Sequence, residues 1–143
     1  MKKLAALHMR LAVLYVIAGM LLGLYMGISE DHTQHSTHAH LNLAGFVVTF
    51  LYGLFFDRHA NEAAGLLERG QFVLAHVGVV VMNIGVAVKY ARDPELGERF
   101  AAPGSIAVFA GMLLFALIVY RRTRPAGRPS AGGVIRRSPA LRP

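Results

Sequence analysis

Seven histidines and no cysteine define the chemistry open to this chain of 143 residues. Without thiols there is no disulfide, no thiolate metal site and no haem attached through a Cys-x-x-Cys-His sequence, so imidazole is the donor that remains. Four of the seven, His32, His35, His38 and His40, crowd together with Asp31 beside them. Imidazole with carboxylate suits copper(II) or zinc, and one reading of the cluster is a metal site at these four histidines. His8 and His76 instead stand in apolar runs, where a polar side chain is costly enough to be a functional candidate. Their bland readings are a lipid-interface position for His8 and a hydrogen bond across a helix bundle for His76. His59 reads as a solvated loop residue. Glu62, Glu68, Glu95 and Glu98 read as loop charges. No nucleophile with a base, no carboxylate pair and no nucleotide-binding loop accompanies the histidines, which disfavours an enzyme.

The elements that must position these residues are legible in the charge pattern. Hydrophobic residues make up 55% of the chain although it carries 15 Lys and Arg. The two classes are segregated, with apolar residues in four long runs and charges between and after them, as in a multi-pass membrane protein. Leu11 to Ile28 carries no charge and spans about 27 Å at 1.5 Å per residue, with Arg10 able to snorkel. It is longer than a signal-peptide core and no clean cleavage site follows it, so it reads as a membrane helix. The pattern predicts helices over approximately 4–28, 37–56, 71–90 and 101–120: an all-α, integral membrane four-helix bundle in a single domain, residues 1–120. Residues 121–143, rich in Arg, Pro, Gly and Ser, read as a disordered basic tail.

With the N-terminus inside, Lys2, Lys3, Arg10, Arg58, Arg69 and seven tail arginines fall on the cytoplasmic side, against Lys89, Arg92 and Arg99 outside. That bias predicts both termini in the cytoplasm, and it places the His32 to His40 cluster on the outer face. The net charge of +7 gathers next to the last apolar run. There it suits anionic lipid rather than nucleic acid, so the expected surroundings are the lipid bilayer.

On the second helix His38, Asn42, Gly45, Thr49 and Tyr52 form one stripe at helical spacing. His8 and Tyr15 on the first helix, and His76, Asn83 and Tyr90 on the third, recur every seven residues, so three polar lines are expected to face one another inside the bundle. Gly19, Gly23 and Gly27, with Gly78/Gly85 and Gly104/Gly111, predict close helix packing, within the subunit rather than across a dimer seam. His38 and His40 point about 200° apart on a helix and so address different neighbours.

The segment His-Ala-His-Leu-Asn-Leu-Ala-Gly-Phe, His38 to Phe46, resembles the tenth helix of the catalytic subunit of heme-copper oxidases and nitric-oxide reductases. Met82-Asn83-Ile84-Gly85 is similar to the helix that follows it, and the whole looks like short bacterial cytochrome-c-oxidase-like membrane proteins. In that family the two histidines of such a motif bind haems on opposite faces of the helix. The histidines that hold the family's active-site copper have no counterpart here. What the resemblance implies is haem b binding by His38 or His40, with Asn42 beside them, in a bacterial inner (plasma) membrane. The expected role is electron transfer, haem handling or gas sensing, with a respiratory-chain partner. A membrane scaffold without cofactor is the remaining alternative.

Depth constrains pairing. Two axial nitrogens stand about 4 Å apart across an iron, at roughly 2 Å per bond. His40 lies near the outer end of its helix and His76 about 7.5 Å inside the inner end of its own, so roughly 20 Å of a core about 30 Å thick separates them. His8 shares the depth of His76, and those two can form an inner site. His40 then needs an outer partner: Tyr25, Met26, a loop histidine or the same residue of another subunit. Four short helices enclose a macrocycle poorly, so a homo-oligomer is expected.

Overall fold

The structure, a computed structural model, describes residues 1–123. Within them four helices follow one another: α1 (Lys2–Ser29), α2 (His35–Arg58), α3 (Leu66–Ala91) and α4 (Pro94–Arg122). All four are long and apolar enough to cross a membrane. The surface bears this out, because long apolar side chains such as Leu14, Met20, Ile106 and Phe109 are more than half exposed. Water does not tolerate such a surface, whereas for lipid it is the contact face.

The helices start and stop where local chemistry allows, and they are longer than the uncharged runs. α1 ends at Glu30, whose φ of 56° puts it in the left-handed region that closes many helices. α3 starts five residues ahead of the expected position, at Leu66, because the Glu68 carboxylate accepts from the Gly65 N–H at 2.8 Å. α4 starts at Pro94 rather than near residue 101. Asp93 Oδ1 accepts from the N–H groups of Glu95 and Leu96 at 3.0 Å each, and Pro94 fills the first helical position. Asp93-Pro94 is thus a helix start, and the charges of 95–99 sit on two extra turns where Arg99 pairs with Glu95 and Lys89 with Glu98. At the other end α4 includes Arg121 and Arg122, so the expected tail boundary shifts; residues 124–143 lie outside the described residues.

α2 is not uniform. An α-helical turn and a half, His35–His40, leads into a π-helical stretch, Leu41–Val48, before α-helix resumes at Thr49. Stretches of this wide winding concentrate at functional positions. Here it begins immediately after His40.

α3 and α4 form the closest pair. A Cβ on Gly78 would stand 2.7 Å from the backbone nitrogen of Val108, and one on Gly85 would stand 2.7 Å from the carbonyl oxygen of Gly97. Only glycine permits this approach, and in lipid such contact is what holds helices together. The glycine lines therefore act within the subunit. α1 and α2 form the second pair, and the two hairpins meet over Ala5, Tyr52, Phe56, Ala75 and Ile118. At the end of the bundle that holds the N-terminus Arg122 bridges Glu62 and Glu68. At the other end Gln34 Nε2 donates to the Ala87 carbonyl at 3.1 Å.

Candidate functional site

The polar residues of the bundle form two groups. In the first, His8 of α1 and His76 of α3 meet across the hairpin interface. His76 Nε2 and His8 Nδ1 share a hydrogen bond of 2.9 Å, and the Tyr15 hydroxyl lies 3.2 Å from His76 Nδ1. His8 is 0% exposed, stacked on Phe56 with centroids 5.4 Å apart and edge-on to Phe72 and Tyr52. The interface position considered for His8 is thereby corrected. The ring is enclosed by the aromatic side chains of Tyr52 and Phe56 from α2 and Phe72 from α3. Gln71 lies beside His8 without meeting hydrogen-bond geometry. Both of its amide atoms and His8 Nε2 are buried without a partner, giving a four-residue line, Tyr15, His76, His8 and Gln71, with its inner end open.

The polar lines face inward for most of their length. Thr49, Tyr52, His76 and Asn83 are all buried. Tyr90 is 49% exposed and leaves the line. A repeat of seven drifts about 20° per heptad on a straight helix, so two heptads from His76 carry the side chain off the face.

In the second group His38 and His40 separate as their spacing requires. His38 turns to α1, where Nδ1 donates to the Gly19 carbonyl at 2.8 Å and the ring lies over Gly23. Asn42 Nδ2 donates to the His38 carbonyl at 2.8 Å, and its amide lies over Gly19. Gly19 and Gly23 thus form a notch for polar side chains, while Gly27 has nothing near it. His40 Nδ1 donates to the Ser36 carbonyl at 2.7 Å. In the neutral ring that bond leaves Nε2 with its lone pair free, beside a shallow groove of about 90 Å³ lined by Ala39, Leu43 and Ala44. No hydrogen bond among the described residues joins His40 to Tyr25, which is 58% exposed.

The loop histidines do not join them. His32 Nδ1 donates to the Glu30 carbonyl at 3.1 Å and His35 is exposed. Asp31 accepts from the backbone and hydroxyl of Thr33, which hold its carboxyl below the ordinary aspartate value. Among the described residues no group of three or more His, Asp and Glu side chains could hold a metal ion. His32, His35, His38 and His40 are neighbours in sequence without converging, because each ring is aimed by its own local hydrogen bond or by solvent.

These geometries test the fit of a haem. His8 and His76 do not fit one in this arrangement, since 2.9 Å between nitrogens is a direct hydrogen bond and an iron needs about 4 Å. His40 fits the part of an axial ligand, because a histidine that donates its other N–H to a carbonyl is fixed in tautomer and orientation. Gln71 and the Glu68–Arg122 pair escaped the sequence reading. Glu68, read as a loop charge, is 5% exposed and 2.8 Å from Arg122. The signal available for it was its place three residues after Gly65, at the third position of a helix.

Comparison with protein-family models, with curated proteins and with solved structures finds no match to this chain.

Proposed function

We propose that this chain is a haem b binding protein of the heme-copper oxidase-like type, serving electron transfer, haem handling or gas sensing without turnover of its own. It spans a bacterial inner membrane with both termini cytoplasmic, as the lysine and arginine bias requires. The observation that carries the reading is His40: Nδ1 is held by the Ser36 carbonyl and Nε2 is free beside an apolar groove. A ferric or ferrous haem bound there supplies one-electron redox chemistry or a gas-binding iron. The chain's own part is to hold the ring in one tautomer and to keep the site in lipid, away from water. A groove of about 90 Å³ covers only an edge of a macrocycle, so a second copy supplies the opposite wall. A respiratory-chain partner then exchanges electrons with the site.

The test is an absorption spectrum of purified protein made with adequate haem supply, oxidised and reduced. His40→Ala loses the Soret band, while His32→Ala and His35→Ala retain it. A colourless parent protein, or a His40→Ala variant with full haem content, ends the reading. Colourless protein that also carries no copper or zinc by elemental analysis leaves a scaffold, the second reading, which the closed hydrogen bond between His8 and His76 favours.

A further inference from the structure

At the end of the bundle that holds the N-terminus, α1, α3 and the loop between α2 and α3 enclose a basin of about 420 Å³. Half-buried apolar side chains, Leu4, Ala60 and Ala64, line it together with three exposed cations, Lys2, Lys3 and Arg69. Met1 is buried beside them, and its amino nitrogen donates to the carbonyls of Ala60 and Glu62, which ties the start of α1 to the loop.

The three cations have no acid to answer them. Glu62 and Glu68 are both held by Arg122, and Asp57 is not among the residues that line the basin. Among the described residues none of Lys2, Lys3 and Arg69 forms an ion pair. No side chain caps the first turn of α1, so its free N–H groups add a partial charge of the same sign. Like charges gathered around one concavity raise the local concentration of anions.

Position selects the source of the anion. Lys2 and Lys3 directly precede the apolar run of α1, and Arg69 stands two residues before Gln71, where that of α3 begins. Cation thus gives way to hydrocarbon at the same point on both walls, as at the headgroup level of a bilayer. Leu7, four residues after Lys3 and so on the same face of α1, is 43% exposed and continues the path toward acyl chains. Free phosphate would use the cations alone, whereas a phospholipid uses the cations and the apolar wall together. A zwitterionic headgroup brings its own ammonium against three cations; a headgroup of net negative charge does not.

We infer that this basin binds the headgroup of an anionic phospholipid, with its phosphate among Lys2, Lys3 and Arg69 and an acyl chain running along α1 past Leu7. The site is separate from His40 and does not depend on haem.

The test is a lipid titration of the full chain in a non-ionic detergent, read by native mass spectrometry. Phosphatidylglycerol and phosphatidylcholine with identical acyl chains are compared. One phosphatidylglycerol is expected to bind about tenfold more tightly than phosphatidylcholine, and each cation removed to cost about fivefold. Lys3→Gln combined with Arg69→Gln therefore weakens phosphatidylglycerol by about 30-fold and leaves phosphatidylcholine as it was. Both side chains are exposed, so helicity stays as in the parent. Arg58→Gln combined with Arg92→Gln removes the same net charge outside the basin and keeps the preference. The proposal is overturned if the two lipids bind alike, or if the Lys3 and Arg69 variant keeps the preference. It is also overturned if the Arg58 and Arg92 variant loses as much, which would leave only diffuse attraction to a basic surface. Displacement of phosphatidylglycerol by millimolar inorganic phosphate overturns it too, in favour of a site for soluble phosphate.

Discussion

The ring of His38 is seated on the backbone of Gly19: Nδ1 lies 2.8 Å from that carbonyl oxygen, and Gly23, one turn further along α1, leaves the space the ring occupies. A Cβ at Gly23 would stand 2.7 Å from Cε1 of the ring, which the hydrogen bond prevents from swinging aside. Gly23→Ala is therefore expected to destabilise the bundle by about 1–3 kcal/mol, the range for overpacking. Gly27→Ala, with nothing within 4 Å, is expected to be neutral. Unfolding of both variants in mixed micelles checks the contrast, and equal stabilities would remove the notch.

The hydrogen bond between His8 and His76 has a measurable coupling. In a double-mutant cycle with His8→Leu and His76→Leu, the interaction energy is expected at about 0.6–1.7 kcal/mol, the span found for polar contacts between membrane helices. A coupling near zero would mean that the two rings are packed side by side without bonding.

How much of this was legible beforehand follows from what each feature depends on. The four helices were readable because a bilayer demands long uncharged runs, and the pairing of His8 with His76 followed from equal depth. Burial of His8 was not readable, since the aromatic wall of Tyr52, Phe56 and Phe72 comes from two other helices. That the rings of His32, His35, His38 and His40 do not converge was not readable either. Nearness in sequence says nothing of ring direction, which the Glu30, Gly19 and Ser36 carbonyls set. The π-helical winding at Leu41–Val48 leaves no mark in the side-chain periodicity that the sequence could have shown.

Arg122 holds a carboxylate that would otherwise be stranded. Its partner Glu68 is buried, whereas the pair Arg99–Glu95 has side chains 70% and 82% exposed. Arg122→Ala is expected to cost about 3–5 kcal/mol, the range for leaving a buried charge unpaired, and Arg99→Ala at most about 0.5 kcal/mol. Thermal unfolding of the two variants in the same detergent separates them, and similar losses would show that Glu68 reaches water.

The loop between α1 and α2 carries its own pH dependence. The Thr33 hydroxyl and N–H bond the Asp31 carboxylate and lower its pKa. A group depressed in the folded state stabilises the turn above its unfolded pKa and loses that contribution as pH falls through the depressed value. Protection of the Thr33 amide from hydrogen exchange is expected to hold at neutral pH and fall only below the ordinary aspartate range. Asp31→Asn, which keeps an oxygen acceptor, should give a profile flat over the same interval, and a matching acid loss in that variant would place the cause elsewhere.

The wide winding of Leu41–Val48 makes α2 one residue longer than its path through the bundle needs, because each i→i+5 turn holds one more residue than the α-turn it replaces. That surplus is slack in the chain. Deleting a single lipid-facing residue there, such as Leu43, lets the stretch rewind as ordinary α-helix while His38 keeps its seat against α1 and Tyr52 its place in the core. The same deletion in α3 would rotate every following side chain by about 100° and tear Gly85 from α4. Of the four helices, the one carrying His35, His38 and His40 is the one whose length can change without loss of its partners.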